Sequence, residues 1–231
     1  MLEIHPQHLT LGQLFNERLF RIPQYQRAYS WGDNERKDLF EDINRTWRLG
    51  PDGAHFMATV VGLRREKRRI FAREYQALEV VDGQQRITTL IILLKAIAKA
   101  LDPSDKVGNK IREDLNETMV KPDNALLLLQ TNHDTSGHFR TYIVSGEHPN
   151  SATGVTLADR ALLKAIEDCE SFVSAWQSDG KSLTDIVSLV KNRLTFVFHE
   201  IGDEAVVYTV FEVLNSRGLP VSWFDRLKSM L

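Results

Sequence analysis

The chain has 231 residues, 42% of them hydrophobic and 26% charged, which suits one large domain or a core with a helical subdomain. A formal net charge of −2 excludes a global positive field of the kind that announces nucleic-acid binding, so any basic surface must be local. The single cysteine, Cys169, excludes an intrachain disulfide and a Cys-rich zinc site, and no run approaches the roughly 18 uninterrupted apolar residues of a membrane span.

The start, Met1 to Pro6, lacks the basic-then-apolar pattern of a signal peptide, and a cytoplasmic location is expected. Residues 9–20 read as weakly helical. Residues 21–31 read as extended, with Pro23 keeping Ile22 out of the helical basin. Asp33 or Asn34 is expected to cap a helix carrying Leu39, Phe40, Ile43 and Trp47 on one side, ended by the turn at 50–53. Residues 55–63 read as a strand, the basic run 64–69 as the connection of a hairpin, and 77–81 as the end of its second strand. The loop at 82–85 leads into a strong helix with Ile87, Leu90, Ile91, Leu94, Ile97, Ala98 and Leu101 on one buried face, stopped at 102–105.

Residues 124–130 suit a short strand or a helix start, and 145–156 an exposed loop. A helix follows with Leu162, Ala165, Ile166, Cys169, Phe172, Val173 and Trp176 on its stripe, which makes Cys169 a core residue rather than a nucleophile. Leu183, Ile186, Val187 and Val190 mark another helix, and 194–201 a strand. Val206, Val207, Val210, Phe211 and Leu214 mark a further helix, closed by Asn215-Ser216-Arg217-Gly218. Ser222 and Asp225 start a last helix that is still running at Leu231, so the chain is expected to be truncated before any nuclease domain.

The most informative polar feature is the strand-loop-helix junction at Asp82-Gly83-Gln84-Gln85-Arg86. A helix start leaves N–H groups open and carries partial positive charge, which favours an anion such as phosphate. Gly83 permits close backbone approach, Arg86 supplies a forked cation, and Thr88 and Thr89 add hydroxyls. Asp82 could hold a metal ion, orient a water or bind a ribose; the plainer alternative is that it only caps the helix, with Arg86 on a solvated face. The loop matches neither a Walker A nor a Rossmann fingerprint.

A second feature is the arm from Pro23 to Trp31, where Tyr25, Tyr29, Trp31, Gln24, Gln26 and Arg27 could stack on a base or grip a phosphate backbone. Its alternative is a packed extended segment with aromatic anchors. Arg217 could reach a site from the turn at 215–218, although Asn215 and Gly218 are explained by a helix end alone. The basic run from Arg64 to Arg73, with Arg64, Arg65 and Arg68, could contact DNA or be a solvated hairpin tip. No histidine zinc spacing, Gly-x-Ser-x-Gly elbow or HNH-type constellation occurs.

These stretches occur together in one order: Ile22-Pro23-Gln24-Tyr25-Gln26-Arg27-Ala28-Tyr29-Ser30-Trp31, His55-Phe56-Met57, Val81-Asp82-Gly83-Gln84-Gln85-Arg86-Ile87-Thr88-Thr89-Leu90, and Phe211 to Gly218 leading into Asp225-Arg226-Leu227-Lys228. In this the chain resembles the ParB-like, DGQQR-containing family, the N-terminal domain of GmrSD-type modification-dependent restriction enzymes and phosphorothioate-sensing relatives. Met57-Ala58 stands where that family tends to have Leu-Gly, and Ile87 where it often has Leu.

The resemblance implies an α+β fold with a ParB/sulfiredoxin-like core and an added helical subdomain. The expected division is a nucleotide-binding core at 1–101, a mainly helical insertion at 102–193, and a strand and helices returning to the core at 194–231. It implies a regulatory domain of a DNA restriction or anti-phage defence protein that binds a nucleoside triphosphate with Mg²⁺ and hydrolyses it. Asp82, Gln84, Gln85 and Arg86 would be catalytic, with Asp82 as metal ligand. Gln26, Arg27, Gly83, Arg86, Thr88, Thr89, Asn215 and Arg217 would bind nucleotide; Tyr25, Tyr29, Trp31, Arg64, Arg65 and Arg68 would contact DNA, modified DNA in particular. A nuclease domain or subunit beyond the C-terminus and a homo-oligomer are the other expected partners. The alternatives are a sensor of modified DNA that binds nucleotide without hydrolysing it, and a partner-binding domain with an inactive site.

Overall fold

The computed structural model describes residues 6–130, 136–149 and 156–207. The expected features at 210–231, including Asn215, Arg217 and the last helix, lie outside these residues. Strand β1 (Gln7–Thr10), helix α1 (Leu11–Phe15) and strand β2 (Arg18–Ile22) replace the single weak helix expected over 9–20. The helix starts where Thr10 Oγ1 accepts the Gln13 N–H at 3.3 Å while Gln13 Oε1 accepts the Thr10 N–H at 2.9 Å. It ends after one turn because Leu19, Phe20 and Ile22 find buried places in a sheet, and tertiary burial overrides a weak local preference.

Helix α2 (Asp33–Arg48) starts one or two residues earlier than expected. Gly32 is its cap, and the Glu35 carboxylate accepts the Gly32 N–H at 2.8 Å. Strands β3 (His55–Ile70) and β4 (Arg73–Asp82) form a long antiparallel hairpin. The basic run 64–69 is therefore ladder, and the turn lies at Phe71–Ala72. Pairing extends this far because the cations meet acids: Lys67 lies 3.3 Å from Glu74 across the hairpin, and Arg68 lies 2.7 Å from Asp123.

The remaining elements are α3 (Gln84–Ala100), α4 (Lys106–Met119), β5 (Leu128–Gln130), α5 (Ser136–Ser145), α6 (Leu157–Ser178), α7 (Leu183–Asn192) and β6 (Leu194–Ile201). Residues 128–130 resolve the strand-or-helix ambiguity in favour of a strand. The sheet runs β1-β6-β3-β4-β2-β5. β3 pairs in parallel with β6, and β2 with both β4 and β5; β1–β6 and β3–β4 are antiparallel. The described residues thus form a mixed α/β fold around one six-stranded mixed sheet.

One face of the sheet, with Phe20, Val60, Leu78, Val80, Phe196 and Phe198, packs beneath the helices in the main core. At its centre lies α3, which is buried on every side rather than on the one expected face: each residue from Ile87 to Ala98 is buried. It shares the main core with the inner face of the sheet, and α4 and α6 pack against it. Cys169 on α6 is fully buried against this helix, its thiol 3.9 Å from the Thr89 carbonyl, and burial pushes it well above the ordinary thiol range. It is a core residue, as its stripe position predicts. The opposite face of the sheet carries a smaller cluster of Val61, Leu63, Val81 and Ile201, against which Val206 and Val207 pack. No helix among the described residues is long and apolar enough to cross a membrane.

Arg193, just after α7, holds the end of α2 in place. Its Nε donates to the Gly53 carbonyl at 2.6 Å, and its Nη2 donates to the carbonyls of Thr46 and Gly50. These carbonyls belong to the last turn of α2 and the turn after it, and the donor is charged. Arg193→Ala is expected to lower stability by about 1–3 kcal/mol, read as a fall in the denaturation midpoint at unchanged slope.

Candidate nucleotide-binding site

The site is built where β4 hands over to α3. Val61 faces Asp82 while the next residue, Gly62, faces Val80, so Val81 is an extra residue in the ladder. This bulge re-aims the chain just before the turn. Gly83 then adopts φ +92°, the left-handed region. A side chain there would also meet Val60 Cγ2 at 3.0 Å and the Thr59 carbonyl at 3.4 Å. Glycine is needed twice over, for its conformation and for its lack of bulk. Gly83, not Asp82, is the N-cap, and no side chain caps α3. The helix begins with the Ile87 N–H donating to the Gly83 carbonyl at 3.1 Å.

The arm from Pro23 to Trp31 lies along this junction and is fastened by side chains. Gln26 Nε2 donates to the Val81 carbonyl at 3.0 Å. Gln84 Nε2 donates to the Arg27 carbonyl at 3.2 Å. Gln85 uses both ends of its amide, donating to the Ala28 carbonyl at 3.1 Å and accepting the Ser30 N–H at 2.9 Å. Tyr29 is buried, with its hydroxyl 2.9 Å from Thr89 Oγ1, and burial pushes its pKa up to about 12. Arg36 on α2, 1% exposed, donates to the Trp31 carbonyl and to Asp33 and Asp168, pinning the far end.

Arg86 points back over this arm. Its guanidinium carbon sits 5.4 Å from the centre of the Trp31 ring. Its Nε is buried with no hydrogen-bond partner among the described residues, as is Gln84 Oε1. Burial pulls the Arg86 guanidinium below its ordinary range, while the charges of Asp42 and Asp82 act the other way. Burial pushes the Asp82 carboxyl up, opposed by the Gly83 N–H and by the charges of Arg86 and Arg27.

The expected site residues therefore separate. Asp82, Gly83, Gln84, Gln85, Arg86, Gln26, Arg27 and Trp31 come together at the start of α3. Thr88 and Thr89 lie behind it and are buried: Thr88 Oγ1 is 3.4 Å from Gln130 Nε2, and Thr89 Oγ1 donates to the Gln85 carbonyl at 2.9 Å. Tyr29 faces the core. Tyr25, 44% exposed, stands instead among the charges of Glu79, Arg65, Glu204 and Arg21. Arg64 pairs with Glu200 at 3.5 Å, Arg65 with Glu79 at 2.7 Å and Glu204 at 3.2 Å, and Arg68 with Asp123. The basic run carries its own counter-charges.

Three site-lining residues were not singled out from the sequence. Arg36 betrays itself by sitting in register with Leu39 and Ile43 on the buried stripe of α2. Asp42, which faces the Arg86 charge, lies 3.5 Å from His55 Nε2. His199 stands across Val61 from Asp82, in a row over β4, β3 and β6, with Nδ1 buried and unpartnered among the described residues. Nothing local in the sequence marks Asp42 or His199, because only the fold brings them near.

The carboxyl of Asp82 has a consequence for stability. Folding raises its pKa, so above the ordinary value of 3.8 the folded chain holds more proton than the unfolded one, and stability falls as pH rises through that window. Asp82→Asn is expected to raise the melting temperature at about pH 7 and to change it little below about pH 3, which a pair of thermal melts reads directly.

A search of the curated proteins finds no match for this chain. The family model for the GmrSD restriction endonuclease, N-terminal domain, matches residues 11–231, which takes in the arm, the junction and every described strand of the sheet but β1. The chain belongs to the family of GmrSD restriction endonuclease N-terminal domains.

Proposed function

We propose that the β4–α3 junction binds the phosphates of a nucleoside triphosphate, and that this domain is the nucleotide-hydrolysing regulatory part of a restriction system with a ParB-like core. The observation that carries this reading is the uncapped start of a 17-residue helix beside a guanidinium whose Nε has no partner among the described residues. Helix-start N–H groups, the macrodipole and Arg86 all favour a multiply charged anion at that point. Gly83 leaves room for it to approach the backbone.

The two glutamines take different parts. Gln85 has both ends of its amide committed to the arm and acts as a tether. Gln84 keeps Oε1 without a partner among the described residues, so it is the one suited to orient an attacking water. Asp82 supplies the carboxylate for Mg²⁺. No group of three or more His, Cys, Asp or Glu side chains suited to a metal occurs among the described residues. Mg²⁺ in nucleotide sites is commonly held by one or two carboxylates together with the nucleotide's own phosphates and water. Phosphoryl transfer rests mainly on positioning and charge stabilisation, which this set provides in kind.

A second reading, a sensor of modified DNA with nucleotide as ligand only, is favoured by Tyr25. It is exposed and so open to stack on a base, beside Arg21 and Arg65, which are both paired with Glu79. A homo-oligomer and a nuclease domain or subunit remain part of the proposal as partners through which such a signal would act.

Arg86→Ala is expected to weaken triphosphate binding by at least about tenfold and to abolish turnover; equal affinity and rate in both proteins would remove the assigned role. Tyr25→Ala is expected to weaken DNA binding while leaving nucleotide affinity intact, measured by titration of each ligand in turn. Unchanged DNA affinity would sink the sensor reading.

A further inference from the structure

The middle of α3 carries a second group of cations that the junction does not use. Lys95 follows Arg86 by nine residues, roughly 14 Å along the helix axis. It is 6% exposed. Its ammonium donates to Asn116 Oδ1 at 3.0 Å and to the Val144 carbonyl at 3.4 Å, both neutral acceptors. Among the described residues no carboxylate pairs with it. Arg112 on α4 is alike: it donates to Asn109 Oδ1 at 2.7 Å and pairs with no carboxylate among the described residues. Lys99, one turn further along α3, is held by Glu170 at 2.6 Å.

These three cations line one cavity of about 610 Å³ between α3, α4 and the end of α5. Gly146 follows Ser145, the last lining residue, and lies close to both lysines. With φ +76°, its N–H donates to the Tyr142 carbonyl at 2.8 Å, and a side chain there would meet the stems of Lys99 at 3.3 Å and Lys95 at 3.4 Å. The chain can turn off α5 close over both lysines only because this residue is glycine. The cavity falls within the size range of small-molecule sites, ~300–1,000 Å³. Among its lining residues the one carboxylate is Glu117, which is exposed.

A buried ammonium with only neutral partners is costly. Burial, together with the charges of Lys99 and Arg112, holds Lys95 below the ordinary lysine range. An anion seated between Lys95 and Arg112 would offset both the desolvation and the mutual repulsion. Two cations without a carboxylate partner match the two negative charges of a phosphate group, whereas a carboxylate brings one.

We propose that the cavity between α3, α4 and α5 is a second anion site, taking the phosphate group of a small molecule on Lys95 and Arg112 and separate from the site at the start of α3. The test titrates inorganic pyrophosphate into Arg86→Ala protein, where the junction site is removed, and into the same protein carrying Arg112→Gln or Lys95→Met. Binding is expected in Arg86→Ala and at least about tenfold weaker with either further substitution. Absence of binding in Arg86→Ala, or binding unchanged by Arg112→Gln, overturns the proposal. Arg112 is partly exposed, so its variant keeps the comparison available if Lys95→Met fails to fold. Wild-type protein titrated in parallel separates the two sites: if Arg86→Ala matches wild type while Arg112→Gln loses binding, the junction reading fails and this one stands.

Discussion

The backbone of residues 23–31 runs outside the sheet ladder, so its polar groups must be satisfied in another way. Side-chain amides do this. Gln26 reaches from the arm to the end of β4, and Gln84 and Gln85 reach back from the first turn of α3. Each bond is modest alone, yet together they fix the arm's register against the helix start. Trp31 is thereby set beside Arg86, and Arg36 locks the same end from α2. The geometry of the junction depends on this lacing more than on any contact of Arg86 itself.

The electrostatics carry a cost. Asp82 and Arg86 are both taken partly out of water, and neither is neutralised by a close ion pair among the described residues. A chain shaped only for stability would not keep a half-buried carboxyl beside an orphaned guanidinium nitrogen. Such departures cluster where a ligand completes the set. The hairpin cations behave in the opposite way. Arg64, Arg65 and Arg68 each have an acidic partner.

The junction was legible because three local signals coincide: an apolar run ending in Val80-Val81, a glycine, and a helical period from Ile87. Strand β6 and helices α6 and α7 were legible for the same reason, since their periods are clean. Helix α1 was not, because its five residues are defined by a capping box and by what they touch. Helix α4 was not, because its buried set is only Gly108, Leu115 and Met119 and its start depends on Asp105 accepting the N–H groups of Val107 and Gly108. Within the site, residue identities were legible but partnerships were not. Nothing local separates Gln84 from Gln85, or Tyr25 from Tyr29. Only the packing gives both ends of the Gln85 amide and the Tyr29 hydroxyl their partners, while Gln84 Oε1 has none among the described residues and Tyr25 is exposed.

The lacing of the arm also sets the order in which parts of the molecule come undone. Strand ladders and the enclosed α3 hold by many backbone bonds, whereas the arm runs outside the ladder and holds by side-chain bonds and by the buried Tyr29. Local opening proceeds from the weakest unit, and any opening of the arm must break the amide bonds and draw Tyr29 out of the core. The backbone that such an opening would lay bare is the start of α3, so access to the proposed phosphate cradle would be governed by a latch rather than by global unfolding.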